Sequence, residues 1–195
     1  GNCLSQGNVD GAASDARFRT PRTVAMSPDG TMAYIADSGN NAIRAVVMAT
    51  GTVSTLAGGA GAGRSGYVDS PTPDSVMFNN PTGLVVVPNG AGGGVDALLV
   101  ADRNNGRLRF VNAVTGATST ATPTNPPPPP PVDEGDGGSE PPPAIPDSTV
   151  SDYGQPSLVV LVAGGVALFF DDALNAVKEL TLVYPPQVPG DGAAP

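Results

Sequence analysis

Three stretches of the chain share one order of apolar and polar positions. Met32–Arg44 reads M-A-Y-I-A-D-S-G-N-N-A-I-R, Ala97–Arg109 reads A-L-L-V-A-D-R-N-N-G-R-L-R, and Val166–Lys178 reads V-A-L-F-F-D-D-A-L-N-A-V-K. Each has an apolar run, an Asp, a short polar turn with Asn, a branched apolar residue six places after the Asp, and a base directly after that. A short run rich in β-formers predicts a buried strand. The polar step predicts a hairpin, because Gly and Asn tolerate positive φ, and Asn105-Gly106 is a leading short-turn signal. The return strands are then Ala42–Val47 and Arg107–Val111.

The surrounding pattern recurs as well. Phe18-Arg19-Thr20-Pro21 and Phe78-Asn79-Asn80-Pro81 stand 60 residues apart, each before an inner strand, Thr23–Met26 and Leu84–Val87. Gly7-Asn8-Val9-Asp10 is mirrored by Gly66-Tyr67-Val68-Asp69. Ser27-Pro28-Asp29-Gly30 places Pro and Gly where a β-turn wants them. Thr52–Leu56 and Ala117–Ala121 add a last short strand to each unit, which makes about four strands per unit. In the third copy, Tyr153-Gly154-Gln155-Pro156 restores the aromatic-x-x-Pro step and the inner strand is Leu158–Leu161. Leu158–Phe170 is too short and too interrupted for a membrane span, which needs about 20 apolar residues; Gly164-Gly165 splits it into two strands.

These motifs resemble NHL repeats. The likeness rests on Phe-x-x-Pro, on Ser27–Gly30, on Tyr34–Arg44, on Thr50–Gly58 and on Gly66–Asp69. It is strong over residues 5–121 and weak over 150–183. The resemblance implies an all-β fold of NHL-type β-propeller blades, each four-stranded, of a kind that usually counts six blades and commonly serves as a binding platform. The expected units are an NHL-like blade over 1–60, a second over 61–122, a Pro/Gly-rich acidic linker over 123–149, a degenerate third blade over 150–184 and a Pro/Gly tail over 185–195. Three blades do not close a propeller, which needs about four, so the expectation is a piece of a longer protein or a chain that completes its ring with another.

Within that frame Asp37, Asn40, Asn41, Asp102, Asn104, Asn105 and Asp171 are read as structural turn residues. An Asp at a strand end accepts backbone N–H groups, and its presence in every copy speaks against a catalytic role. Arg44, Arg109 and Lys178 close the same hairpin and are expected to join neighbouring blades, stem packed and head on a carboxylate or carbonyl. Leu161, Phe169 and Phe170 make the third blade the most apolar and are the expected assembly contact. End blades leave faces uncovered, so further blades or copies of the chain are the expected partners, head to tail in a ring or a fibre.

Composition then narrows the function. The net charge of −9 argues against nucleic acid and anionic membranes. The chain has no His, which removes the commonest general base and metal ligand, and its one Cys, Cys3, forms no internal disulfide. No catalytic residue, cofactor or metal is therefore assigned. Pro126, Pro127, Pro128, Pro129, Pro130 and Pro131 form an unbroken polyproline II tract, followed by an acidic Gly-rich stretch with nothing apolar to bury. Beside Thr122 and Thr124 it is similar to hydroxyproline-rich surface glycoproteins, whose rods carry O-linked glycans. This makes a non-enzymatic structural or interaction module, extracellular or at the cell surface, the first reading. An intracellular scaffold whose rod docks a proline-recognition groove is the alternative, and a propeller lyase or hydrolase the third.

Overall fold

The computed structural model describes residues 5–59, 63–87, 97–121, 155–162, 166–172 and 175–181, and its secondary structure is β-sheet. Strands β1 (Pro21–Met26), β2 (Met32–Asp37), β3 (Ala42–Val47) and β4 (Thr52–Gly58) form one antiparallel sheet in chain order. Strands β5 (Pro81–Val87), β6 (Ala97–Asp102), β7 (Arg107–Asn112) and β8 (Thr118–Thr120) repeat it. Among the described residues the third sheet has three strands, where four are expected: β9 (Pro156–Val162), β10 (Val166–Asp171) and β11 (Ala176–Thr181), with β10 in the middle. The apolar stretch from Leu158 to Phe170 is thus two paired strands, with Phe170 opposite Leu158.

Local chemistry explains the turns. In Ser27-Pro28-Asp29-Gly30, the Gly30 N–H donates to the Ser27 carbonyl at 2.9 Å. The Ser27 hydroxyl and the Thr31 N–H donate to the Asp29 carboxylate, and these bonds, Ser27 first, hold it down to about 2. The Asp turns join β2 to β3 and β6 to β7 as antiparallel hairpins. Ser38–Asn40 and Arg103–Asn105 each wind one 3-10 turn, closed by a left-handed residue, Asn41 (φ 52) and Gly106 (φ 61). Asn and Gly are the residue types that enter this region at little cost.

The sheets stack face to face. In register, Val24, Ile35 and Arg44 lie opposite one another on one face of the first sheet, and Ala25, Tyr34 and Ala45 on the other. The second of these faces packs on the second sheet: Tyr34, Ala36, Ile43 and Ala45 share a core with Leu84, Val86, Leu98, Val100 and Val111. A separate core of Val87, Leu99, Ala101, Leu108 and Ala121 lies within the second repeat. The inner strands run side by side, β1 along β5 and β5 along β9. They are not all apolar and buried, as their sequences suggest: β5 is buried throughout except for Val85, whereas Val24 and Met26 of β1 are 62 % and 45 % exposed. The difference lies in the neighbours, since β5 lies between β1 and β9.

Each repeat also covers its own outer edge. Gly11 exchanges both backbone hydrogen bonds with Val53 of β4, at 2.9 and 2.8 Å, and Ser70 does the same with Thr118 of β8, at 3.1 and 2.8 Å. Each bridge satisfies one residue of the row of N–H and C=O groups that an edge strand leaves open. Gly58 at the end of β4 has φ +76, and a side chain there would meet the Asn41 carbonyl and the Phe78 ring, so the passage from the first blade to the second needs glycine.

Candidate functional site

Two buried clusters repeat almost atom for atom. Asp37 ends β2, and its Oδ1 accepts the Arg19 N–H at 2.8 Å while its Oδ2 accepts the Asn40 amide at 2.7 Å and Arg44 Nη1 at 3.0 Å. Asp102 ends β6 and accepts the Asn79 N–H at 2.8 Å, the Asn105 amide at 2.8 Å and Arg109 Nη1 at 2.9 Å. The second half of each cluster comes from the Gly-x-Val-Asp step. Arg44 donates to the Val9 carbonyl at 2.8 Å and pairs with Asp10; Arg109 donates to the Val68 carbonyl at 2.8 Å and pairs with Asp69 at 2.6 Å. Asp10 and Asp69 then accept the Thr55 and Thr120 N–H groups of the outer strands. Arg44 stacks on Phe18, and Arg109 on Tyr67 and Phe78, with guanidinium carbons 4.9–5.1 Å from the ring centres. Both guanidinium groups are fully buried.

The Asp residues therefore accept backbone N–H groups, but from the segment ahead of the inner strand rather than from their own turn. Arg44 and Arg109 bind within their own 60-residue repeat, not between blades as the sequence suggests. Each ties approach segment, Asp turn and outer strand into one unit. Burial pushes the Asp102 carboxyl up to about 6, against the Asn79, Asn105 and Arg109 donors that hold it down. In the third sheet Asp171 occupies the same place and accepts the Gln155 N–H at 3.2 Å.

Contacts between blades fall to other residues. The Ser38 hydroxyl donates to the Pro81 carbonyl, Asn41 Oδ1 accepts the Asn80 N–H at 2.8 Å, and Thr82 Oγ1 reaches the Pro156 carbonyl at 3.4 Å. Arg103 Nε pairs with Asp172 at 2.9 Å. Asn104 joins its turn to Asn79, through its N–H at 3.1 Å and its amide at 3.3 Å.

Where the inner strands begin, a cavity of about 260 Å³ opens between the three sheets, lined by Arg22, Thr23, Thr82, Arg103, Ser157 and Asp172. Ser157 donates to Asp172 at 2.7 Å; this bond and then Arg103 hold the Asp172 carboxyl below the usual range. Among the described residues Arg22 has neither a hydrogen bond nor an ion pair. Sequence reading missed this cavity and the Asp10 and Asp69 roles. The signal for the latter was present in the recurring Gly-x-Val-Asp.

Of the assembly residues, Phe170 is half-buried; the side chains of Leu161, Phe169 and Lys178 lie outside the described ones. So do Cys3, residues 88–96, Thr122, Thr124 and the whole tract Pro126–Pro131. Among the described residues no group of three or more His, Cys, Asp or Glu is placed to hold a metal.

No family model matches the chain. Over 118 residues, 60 % of its length, it is 35 % identical to NHL repeat-containing protein 2 of Bos taurus and 32 % identical to that of Homo sapiens. The chain spans 15 % of the length of these relatives. Among solved structures, a putative phosphatase from Bacteroides thetaiotaomicron superimposes with a TM-score of 0.60 at 16 % identity, covering 87 % of this chain and 36 % of the other. At that identity the likeness speaks to the fold alone. The protein is thus an all-β chain built of stacked propeller blades. The sequence matches support assigning those blades to the NHL-repeat family.

Proposed function

We propose that this chain is a non-enzymatic propeller module that works by presenting blade faces and loops to protein partners, the first of them being a further blade of its own kind. One observation carries the reading. The open face of the first blade, with Val24, Met26, Ile35 and Val46, corresponds position by position to Leu84, Val86, Val100 and Val111 of the second. Those four are 0–8 % exposed under the first blade. The cover that fits the open face is therefore another blade, with residues like Tyr34, Ala36, Ile43 and Ala45. The carboxylates buried at the strand ends, Asp37 and Asp102, are committed to holding turns, which favours binding over catalysis.

A photo-crosslinker placed at position 24 of the native protein tests this. Crosslinks to a second propeller blade are expected, and a position 24 that captures only solvent contradicts the proposal.

The run of six prolines in the sequence is the reason to place the module at the cell surface, with glycans proposed on that tract and on Thr122 and Thr124. Mass spectrometry of native material decides it. Sugars on these residues are expected, and unmodified prolines and threonines point to the intracellular scaffold.

A further inference from the structure

The repeats of this chain differ in an ordered way. Positions with a structural task are the same in each blade: Pro21, Pro81 and Pro156 open the inner strands, and Asp37, Asp102 and Asp171 close the second strands. The residue directly after each is different every time. After the proline stand Arg22, Thr82 and Ser157; after the Asp stand Ser38, Arg103 and Asp172. Five of these six changing residues line the cavity at the start of the inner strands, and Thr23 completes its wall. In repeat scaffolds, what differs from repeat to repeat often falls on the binding face, and here the differences converge on one cavity.

The chemistry of the wall names the ligand class. The wall holds two arginines and one aspartate, and the carboxylate is already engaged by Arg103 and Ser157. Arg103 spends its Nε on Asp172, and among the described residues its terminal nitrogens have no partner and remain as donors. Arg22 is exposed and engaged by no other described residue. The Thr23 hydroxyl adds a neutral donor. Guanidinium matches planar or tetrahedral oxyanions through paired N–H bonds. At about 260 Å³ the cavity is smaller than sites for drug-sized molecules. We infer that this cavity is a binding site for a compact oxyanion, a carboxylate or phosphate group, held between Arg22 and Arg103 with the Thr23 hydroxyl as a third donor; the Thr82 and Ser157 hydroxyls, which donate to Pro156 and Asp172, only shape the wall.

Isothermal titration of the chain with inorganic phosphate and, separately, with succinate tests it, with ionic strength held by chloride. Saturable binding of either anion is expected, the stronger of the two identifying the oxyanion. Arg22→Gln should weaken it about tenfold, on the scale of one charge-assisted hydrogen bond, and Arg22→Glu should abolish it. Because Arg22 is exposed and unengaged, both variants should melt like the parent. Heats no larger than dilution for both anions, or binding unchanged in the folded Arg22→Glu chain, would overturn the inference.

Discussion

Val24 and Leu84 occupy the same register position in consecutive blades, yet Val24 is 62 % exposed and Leu84 is 4 % exposed. Their strands have the same neighbours within the sheet. What differs is the blade in front, which among the described residues Leu84 has and Val24 does not. Leu84→Ala should therefore cost about 2–4 kcal/mol, as buried truncations do, and Val24→Ala well under 1 kcal/mol. Urea unfolding of the two variants, at a dilution where the chain is monomeric, checks this. Equal losses would mean that the first blade is covered within the isolated chain.

Arg109→Met should be among the most damaging single changes. It leaves Asp102 buried without its cation, and breaking a buried pair costs about 3–5 kcal/mol. Arg44→Met should act alike through Asp37. Circular dichroism during urea unfolding reads the loss, and a variant as stable as the parent would show that the cluster is incidental.

Asp102 gives the chain a specific response to pH. Its carboxyl titrates near 6 when folded, against 3.8 ordinarily, because burial favours the neutral form. Folding thus binds a proton, so this group's contribution to stability is fully present below about pH 4. It is lost as pH rises through 6, by about 3 kcal/mol at most. Carbon-13 NMR of the Asp102 carboxyl should show a midpoint near 6; a midpoint at or below 4 contradicts the assignment.

Thr20 and Asn80 precede the inner-strand prolines and both have positive φ, 50 and 56. A β-branched residue is strained there, whereas Asn is not. Thr20→Asn should stabilise the chain by about 0.5–1 kcal/mol, read as a higher urea midpoint. A lower midpoint would show that Thr20 has a contact worth more than the strain.

The strands and their order were legible because each apolar run is short and bounded by Gly, Pro, Asn and Asp. Asp37 and Arg44 were visible as recurring residues, but not as partners. Seven positions apart on different strands, they meet only once the hairpin has formed. Their second partner, Asp10, comes from a segment 34 residues away from Arg44, which no local pattern announces. The cavity was illegible for another reason. Its lining residues are those at which the repeats disagree, and a reading that searches for what recurs passes over them.

The central claim is that the open face of the first blade seeks a partner blade. Sedimentation velocity of the 195-residue chain, beside a Val24→Asp, Met26→Asp double variant, tests it most directly. Discrete oligomers or aggregates of the parent are expected, shifting toward a folded monomer in the variant, because charge on that face opposes its burial. A parent that is a folded, monodisperse monomer would contradict the claim.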